Sequence, residues 1–183
     1  MESSVIIGII LVVVIGILAA AYISISNGLK TASLKVDEAE SGIDVALTKR
    51  FDVLTKMLDV VKEYKNYEKE TILETVKLRK GMSMQEKKVA ENEMNKLFSD
   101  IKLVAEAYPQ LQAAETFRQL QVAIMDTEEH LQAARRAYNS NVTIFNTKVV
   151  TFPSSIVAGN MGLSKRDYFE AETSKRQDVE MKF

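Results

Sequence analysis

The chain has 183 residues, the length of about one ordinary domain. Its 24 Lys and Arg residues nearly balance 25 Asp and Glu residues, and it contains no Cys and one His. These numbers disfavour nucleic acid as a partner, because no basic surplus exists to neutralise phosphates. They also exclude disulfides, cysteine zinc sites and multi-histidine metal sites. The 7 Gly and 2 Pro residues permit few turns and predict long helices.

Residues 5–25 form an uninterrupted run without a charged side chain. As a helix, these 21 residues span roughly 30 Å, the thickness of the hydrocarbon core of a bilayer. The run therefore predicts a transmembrane helix in contact with lipid. A cleaved signal peptide is the alternative, since Ala19–Ala21 offers a cleavage site. The anchor is favoured because signal peptides begin with basic residues and have a shorter apolar core.

The basic residues near the apolar run predict its orientation. Lys30 and Lys35 follow the run, whereas residues 1–4 contain no Lys or Arg. By the positive-inside rule, we expect a single-pass protein of the cell membrane with residues 1–4 outside the cytoplasm. Residues 26–171 are then a cytoplasmic helical domain, and the polar residues 172–183 are predicted to be a disordered tail.

Small residues recur at every fourth position of the apolar run. On a helix this spacing places them on one narrow stripe, and small side chains let two helix backbones approach closely in lipid. The stripe predicts association of the span with another copy, although it is also compatible with packing against lipid alone. Its main members are Gly8, Gly16, Ala20 and Ser24.

The region after the span has a helical pattern. Between Ile43 and Lys80 there is no Gly or Pro, and apolar residues recur at a helical period. We predict one helix from the membrane to about Lys80, with Gly42 as the point where it could break. Gly81 suits a helix end, and Ser83 with Glu86 predicts a capping box that begins the next helix.

The second helix is expected to stop before Pro109, and a third helix with a sevenfold apolar repeat follows. The repeat predicts a coiled-coil-like seam. Together these patterns indicate an all-α fold, in which an N-terminal transmembrane helix precedes a long antiparallel helical hairpin or bundle with coiled-coil-like packing. The predicted seam residues are Phe117, Ile124, Leu131, Tyr138, Phe145 and Phe152.

The C-terminal part is predicted to leave the third helix at Phe152–Ser155. Gly159 and Gly162 predict a loose connector. Residues 164–167 are similar to a capping box and predict a short terminal helix that carries Tyr168 and Phe169.

Several short motifs, taken in this order and spacing, resemble the LemA family over residues 22–170. They include Ile43–Leu47, Ala105–Leu111, Ala134–Asn139, Phe145–Thr147, Phe152–Gly159 and Tyr168–Glu170. The single residues taken as the family signature are Tyr138, Asn139, Phe145, Asn146, Phe152, Pro153, Gly159, Tyr168 and Phe169.

The resemblance implies a prokaryotic membrane protein with one N-terminal span and a helical domain. It implies no established enzymatic activity, although some relatives are encoded beside membrane proteases. The chain departs from the family pattern where many relatives have histidines. Phe51 and Tyr67 stand at those two places, so a family role that needs the histidines is not expected here.

Catalytic and metal-binding motifs are not recognisable in the sequence. A phosphate loop, a nucleophile elbow and a zinc-protease helix motif are all missing. One His cannot supply the two Glu-x-x-His motifs of a di-iron bundle, and His130 is predicted to be a structural residue at the bundle rim. Glu91 and Glu93 are two residues apart, point to different sides of a helix and are predicted to lie on solvated faces. We therefore predict no enzyme activity, no catalytic residue, no metal and no cofactor.

Two functions remain open from the sequence. The first is a self-assembling homo-oligomeric scaffold on the membrane. The second is an adaptor or regulator of an envelope protease or sensor in stress response, with a membrane protein as its client. Its candidate contact surfaces are the Arg79–Met84 turn and the segment 152–169, whose apolar side chains are expected to be buried against its own bundle, another subunit or lipid.

Overall fold

A computed structural model describes residues 2–64, 76, 78–79 and 81–169 of the chain. Within these ranges the secondary structure is helical and contains no strand, so the predicted all-α fold is confirmed. The helices of this part, in chain order, are α1 (Glu2–Val61), α2 (Met84–Ala107), α3 (Pro109–Ala113), α4 (Glu115–Val150) and α5 (Ser154–Asn160).

Helix α1 is 60 residues long and continues through both Gly28 and Gly42. It ends at Val61, and residues 62–64 form a turn in which the Tyr64 amide donates to the Val61 carbonyl (3.0 Å). The predicted continuation to Lys80 is therefore wrong over residues 62–64. The tighter turn lets the Tyr64 ring pack on Tyr108 with centroids 5.6 Å apart, a tertiary contact that helix periodicity does not encode. Residues 65–75, 77 and 80 lie outside the described part of the chain.

The chain folds as two compact units. The first unit comprises Met1–Ala39 and Ser140–Arg166, and the second unit comprises Glu40–Asn139 and Asp167–Phe183. In the second unit, the end of α1, helix α2 and the start of α4 bury apolar residues at helical spacing, which is the pattern of a helical bundle. Its largest fully buried side chains are Ile43, Leu47, Leu54, Met57, Leu58, Met94, Ile101, Leu111, Phe117 and Ile124.

In the first unit, α5 and the residues after it pack on α1 just beyond the apolar run. Leu29 of α1 is buried with Val157 and Ala158 of α5. The Ser26 hydroxyl donates to the Met161 sulfur (3.4 Å). The remaining apolar side chains packed against this cluster are Ile25, Val149, Met161 and Leu163.

The ends of α2 follow the sequence signals. Ser83 and Glu86 form the predicted capping box: the Ser83 amide donates to the Glu86 carboxylate (2.8 Å), and the Glu86 amide donates to the Ser83 hydroxyl (3.3 Å). The bond from the Ser83 amide, together with one that the Ser83 hydroxyl donates to the same carboxylate (2.9 Å), lowers the pKa of the Glu86 carboxyl, because both favour its charged form. Helix α2 ends before Pro109, and Gly81 has a φ of 80°, where a side chain would be strained.

Two local expectations for the C-terminal region are corrected. Gly159, expected to form a loose connector with Gly162, lies within helix α5 instead. Tyr168 and Phe169, expected on a short terminal helix, lie in the non-helical segment 163–169, and residues 170–183 lie outside the described part of the chain. Side chains of α4 bond to this backbone instead, as described below.

Candidate functional site

The apolar run of α1 has the properties of a membrane span. The helix that contains it is the one in the described chain that is long and apolar enough to cross a membrane, and none of its most apolar window is buried. Val5 is 60 % exposed and Leu18 is 64 % exposed, values unusual for large apolar side chains of a soluble protein. A bilayer would cover these side chains, so the run fits a single-pass membrane anchor.

The predicted association stripe lies on the exposed surface of this span. Gly8, Gly16, Ala20 and Ser24 are all exposed. A Cβ built on Gly8 or Gly16 meets nothing within 4 Å in the described chain. The stripe is thus accessible to lipid or to a second span.

Five of the six predicted seam residues are buried on α4. Phe117, Ile124, Leu131, Tyr138 and Phe145 are at most 2 % exposed. Phe152 does not share this environment, since α4 ends at Val150 and the Phe152 side chain is 76 % exposed. The turn at residues 151–153 redirects the chain before a sixth sevenfold position can face the bundle.

In the second unit, two signature residues of α4 bind the backbone of residues 167–169. The Asn139 amide group donates to the Phe169 carbonyl (3.0 Å) and accepts from the Phe169 amide (2.8 Å). The adjacent Tyr138 hydroxyl donates to the Asp167 carbonyl (2.9 Å). These bonds satisfy backbone groups that a helix would have paired internally, which explains why residues 167–169 are not helical.

The first unit contains the same arrangement at another signature asparagine. Asn146 donates to the Arg166 carbonyl (2.9 Å) and accepts from the Arg166 amide (2.8 Å). The Arg166 guanidinium lies 5.9 Å from the centre of the buried Phe145 ring and 3.0 Å from the Asp37 carboxylate on α1. This part of the signature therefore holds the segment after α5 against α4 and α1.

The other signature residues are on the surface or at the core edge. Phe169 is buried, and the Arg135 guanidinium lies 5.0 Å from the centre of its ring. The exposed members are Phe152, Pro153, Gly159 and Tyr168.

Arg50 places a positive charge inside the second unit, where it is 3 % exposed. Its guanidinium lies 2.7 Å from the Glu128 carboxylate on α4 and donates to Asn95 on α2 (2.7 Å). Burial lowers the pKa of Arg50, and the neighbouring Glu128 carboxylate acts in the opposite direction. Since Arg50 bonds both α2 and α4, the pair joins three helices through one side chain. An open cleft of about 370 Å³ beside Arg50 and Asn95 gives solvent access to this network.

A second buried cation of the same unit is Arg135 of α4, which forms an ion pair with Glu91 of α2. Glu91 is 7 % exposed, so its assignment to a solvated face is wrong. Burial and the nearby Arg50 guanidinium lower the pKa of Arg135 to about 10. The side chain therefore remains charged near neutral pH, and Glu91 provides the opposing charge.

Lys87, at the start of α2, forms the third buried ion pair of the second unit. Its ammonium lies 2.7 Å from the Asp44 carboxylate and 2.9 Å from the Glu40 carboxylate of α1. Burial opposes the charge of the ammonium, but the two carboxylates outweigh it, and the pKa of Lys87 is raised.

The buried ions were missed by the sequence reasoning, although a signal existed. Arg50 lies in the same three-and-four spacing as Leu47, Leu54 and Met57, which are buried. A charged residue inside an apolar repeat indicates a buried ion that requires a partner. The partners lie on other helices, so helix periodicity alone could not identify them.

Within the described residues, no group of three or more His, Asp or Glu side chains is arranged to hold a metal ion. His130 is exposed on α4. The polar groups that converge in the second unit are ion pairs between helices, an arrangement suited to fixing helix register.

These features define a membrane-associated helical protein whose organised polar sites join its own helices. The family model of the LemA family matches residues 39–183. The chain is also 30 % identical to Protein LemA of Metamycoplasma hominis over 174 residues, which cover 92 % of this chain and 80 % of that protein. The chain belongs to the LemA family.

A shorter similarity links the chain to magnetosome proteins. Magnetosome protein MamQ 2 of Paramagnetospirillum magneticum is 24 % identical over 67 residues, or 37 % of this chain and 25 % of that protein. Magnetosome protein MamQ of Magnetospirillum gryphiswaldense is 24 % identical over 66 residues. The chain thus matches about a quarter of the length of these proteins.

Proposed function

We propose that the protein is a non-enzymatic, membrane-anchored scaffold that self-assembles into a homo-oligomer on the cytoplasmic face of the cell membrane. The observation that carries the proposal is the exposed small-residue stripe of Gly8, Gly16, Ala20 and Ser24. Such a surface permits close packing of two spans, in which van der Waals contact replaces contact with lipid tails.

The arrangement of polar groups supports the non-enzymatic part of the proposal. The buried charges of the second unit are engaged with one another, as in the ion pairs of Arg50 with Glu128 and Lys87 with Asp44. A general acid, base or nucleophile has to face a substrate rather than a structural counterion.

Self-assembly is tested by a matched pair of substitutions in the span. Ala20→Ile enlarges a stripe residue, whereas Ala19→Ile makes the same change about 100° around the helix. Both alanines are exposed within the chain, so neither change disturbs internal packing. The mass of the full-length protein in mild detergent, measured by light scattering, should fall for Ala20→Ile and remain that of the parent oligomer for Ala19→Ile.

A monomeric parent protein would defeat the self-assembly proposal. An equal loss of mass for both variants would show that the stripe is not the contact surface. Equal retention by both would place the contacts of the oligomer outside the span.

An adaptor role is the second candidate, and exposed apolar residues of the second unit favour it. Val122 and Met125 of α4 are 60 % and 65 % exposed. Met125 also lines the cleft beside Arg50, and flexible Met side chains suit adaptable contacts.

Photo-crosslinking from position 122 in cells should capture a distinct membrane protein if the protein is an adaptor. Crosslinks to a second copy alone would support the scaffold.

A further inference from the structure

Three exposed apolar residues surround the end of α4 in the first unit. Val150 is 53 % exposed, Phe152 is 76 % exposed and Ile156 is 58 % exposed. We refer to these residues as the apolar corner. A large aromatic side chain this exposed, with aliphatic residues beside it, is typical of a surface that is covered by something other than water.

The register of α4 on α1 shows where this corner lies. Arg166, held by Asn146 of α4, reaches Ser33 and Asp37 of α1. Further along α4, the Lys148 ammonium lies 3.7 Å from the position that a Cβ would take on Gly28. Successive residues of α4 thus face successively earlier residues of α1, in the direction of the apolar span.

The last turn of α4 reaches the end of that span. Val149 and Ile25, the final residue of the apolar run, both pack against the buried cluster of Leu29, Val157 and Ala158. Phe152 follows in the turn after α4, and Ile156 is the neighbour of Val157 on α5. The apolar corner therefore lies beside Leu29, four residues or roughly 6 Å along α1 beyond Ile25.

This level falls within the headgroup layer if residues 5–25 span the bilayer. The interfacial layer is roughly 5–8 Å thick on each side of the hydrocarbon core. Aromatic side chains are favoured there, and apolar side chains of short helices insert into the same zone. The exposed Lys148, next to the corner, suits contact with anionic headgroups.

From this register we propose that Val150, Phe152 and Ile156 insert into the membrane interface as a second, monotopic contact beside the transmembrane helix. The bilayer is the occupant that accounts for an apolar surface at this particular level of α1. The inference rests on the anchoring role of residues 5–25, and its test separates the two claims.

The chain contains no Trp, so a single Trp substitution is a unique fluorophore. Phe152→Trp in the full-length protein is reconstituted into vesicles of phosphatidylcholine and phosphatidylglycerol, with and without brominated acyl chains. We expect blue-shifted emission and strong quenching by the brominated lipid. Ile156→Trp provides an independent second position, and both residues are exposed enough to accept the larger ring.

Two further variants calibrate the measurement. Tyr22→Trp reports the span itself, near its cytoplasmic end. Leu34→Trp is the matched negative control, because Leu34 is 67 % exposed but lies nine residues beyond Ile25, or roughly 13 Å along α1 and outside the headgroup layer.

Each outcome decides one of the claims. Quenching at positions 22, 152 and 156 but not at 34 supports the apolar corner as a membrane contact. Quenching at 22 alone overturns the inference while leaving the anchor intact, and no quenching at 22 overturns the anchor itself. Blue-shifted but unquenched emission at 152 that changes with the protein-to-lipid ratio would assign the corner to a contact between proteins and also overturn the inference.

Discussion

Arg50 carries a full charge in the interior of the second unit, with Glu128 and Asn95 as its partners on two other helices. A buried ion pair adds little net stability, because desolvation of both ions offsets their attraction. The ion pair instead contributes to the specificity of the helix register. A shift of α1 by one turn would separate Arg50 from both partners and leave an uncompensated charge inside the bundle.

Arg50→Met should lower the free energy of unfolding by about 2 kcal/mol, less than the roughly 3–5 kcal/mol of a fully buried pair, because Glu128 keeps access to water. The double variant Arg50→Met, Glu128→Met should regain most of that stability, since no unpaired ion then remains in the bundle. Urea denaturation followed by circular dichroism measures both values. Arg118→Met is the control, as the Arg118–Glu115 pair is exposed and should change stability by less than about 0.5 kcal/mol. Equal losses in the single and double variants would contradict this account.

The raised pKa of Lys87 predicts how the stability of the protein changes at alkaline pH. Its pKa is raised in the folded chain, so the ion pair contributes its full stability below the unfolded value of about 10.4 and loses it as pH rises through the folded value. The difference in unfolding free energy between the parent and Lys87→Met should be constant from neutral pH to about pH 10 and shrink above it. Comparison with the variant is needed because Arg135, with a pKa of about 10, titrates in the same range in both proteins.

The matched control for this series is Lys96→Met, whose ammonium pairs with Glu93 at an exposed site. The unfolding free energy of Lys96→Met should differ little from that of the parent at every pH, since exposed ion pairs contribute little to stability. A Lys87 difference that shrinks already near neutral pH would contradict the raised pKa.

At the scale of elements, the non-helical segment at residues 163–169 is held by side chains of α4. Asn146 and Asn139 each form two hydrogen bonds with one residue of this segment, Arg166 and Phe169. An asparagine amide offers a donor and an acceptor side by side and thereby substitutes for a neighbouring strand. An ionised Asp or Glu at these positions could only accept hydrogen bonds and could not bind both backbone groups.

Asn146→Asp should destabilise the protein by about 1–3 kcal/mol, because a carboxylate oxygen would face the Arg166 carbonyl oxygen in place of a donor. Hydrogen exchange of residues 163–169, measured by mass spectrometry, should accelerate in this variant. Asn160→Asp, at the exposed end of α5, is the control with the same chemical change. Unchanged exchange in Asn146→Asp would show that the two hydrogen bonds do not hold the segment.

At the scale of the whole molecule, α1 contributes the apolar run to the first unit and one wall of the bundle to the second. Membership of the LemA family and the exposed run agree with a membrane-associated helical protein. Scaffold assembly, the adaptor role and the direction of insertion are the proposals that build on this description.

The topology can be tested because the chain contains no Cys. Ser3→Cys and Ser99→Cys place single thiols at exposed positions before and after the span. In spheroplasts, a membrane-impermeant maleimide should label Ser3→Cys at once and Ser99→Cys only after permeabilisation, as Lys30 and Lys35 predict by the positive-inside rule. The reverse labelling pattern would refute the orientation.

Periodicity and composition by themselves determined the all-α fold, the apolar span and the capping box at Ser83, because these depend on neighbours within one or two helical turns. They also located the buried stripe from Phe117 to Phe145. Only the tertiary structure decided which charges are buried, because the partners of Arg50, Lys87 and Arg135 lie on other helices. It also decided that residues 163–169 are not helical. The side chains of Asn139 and Asn146, which are distant in sequence, form hydrogen bonds with backbone groups of this segment.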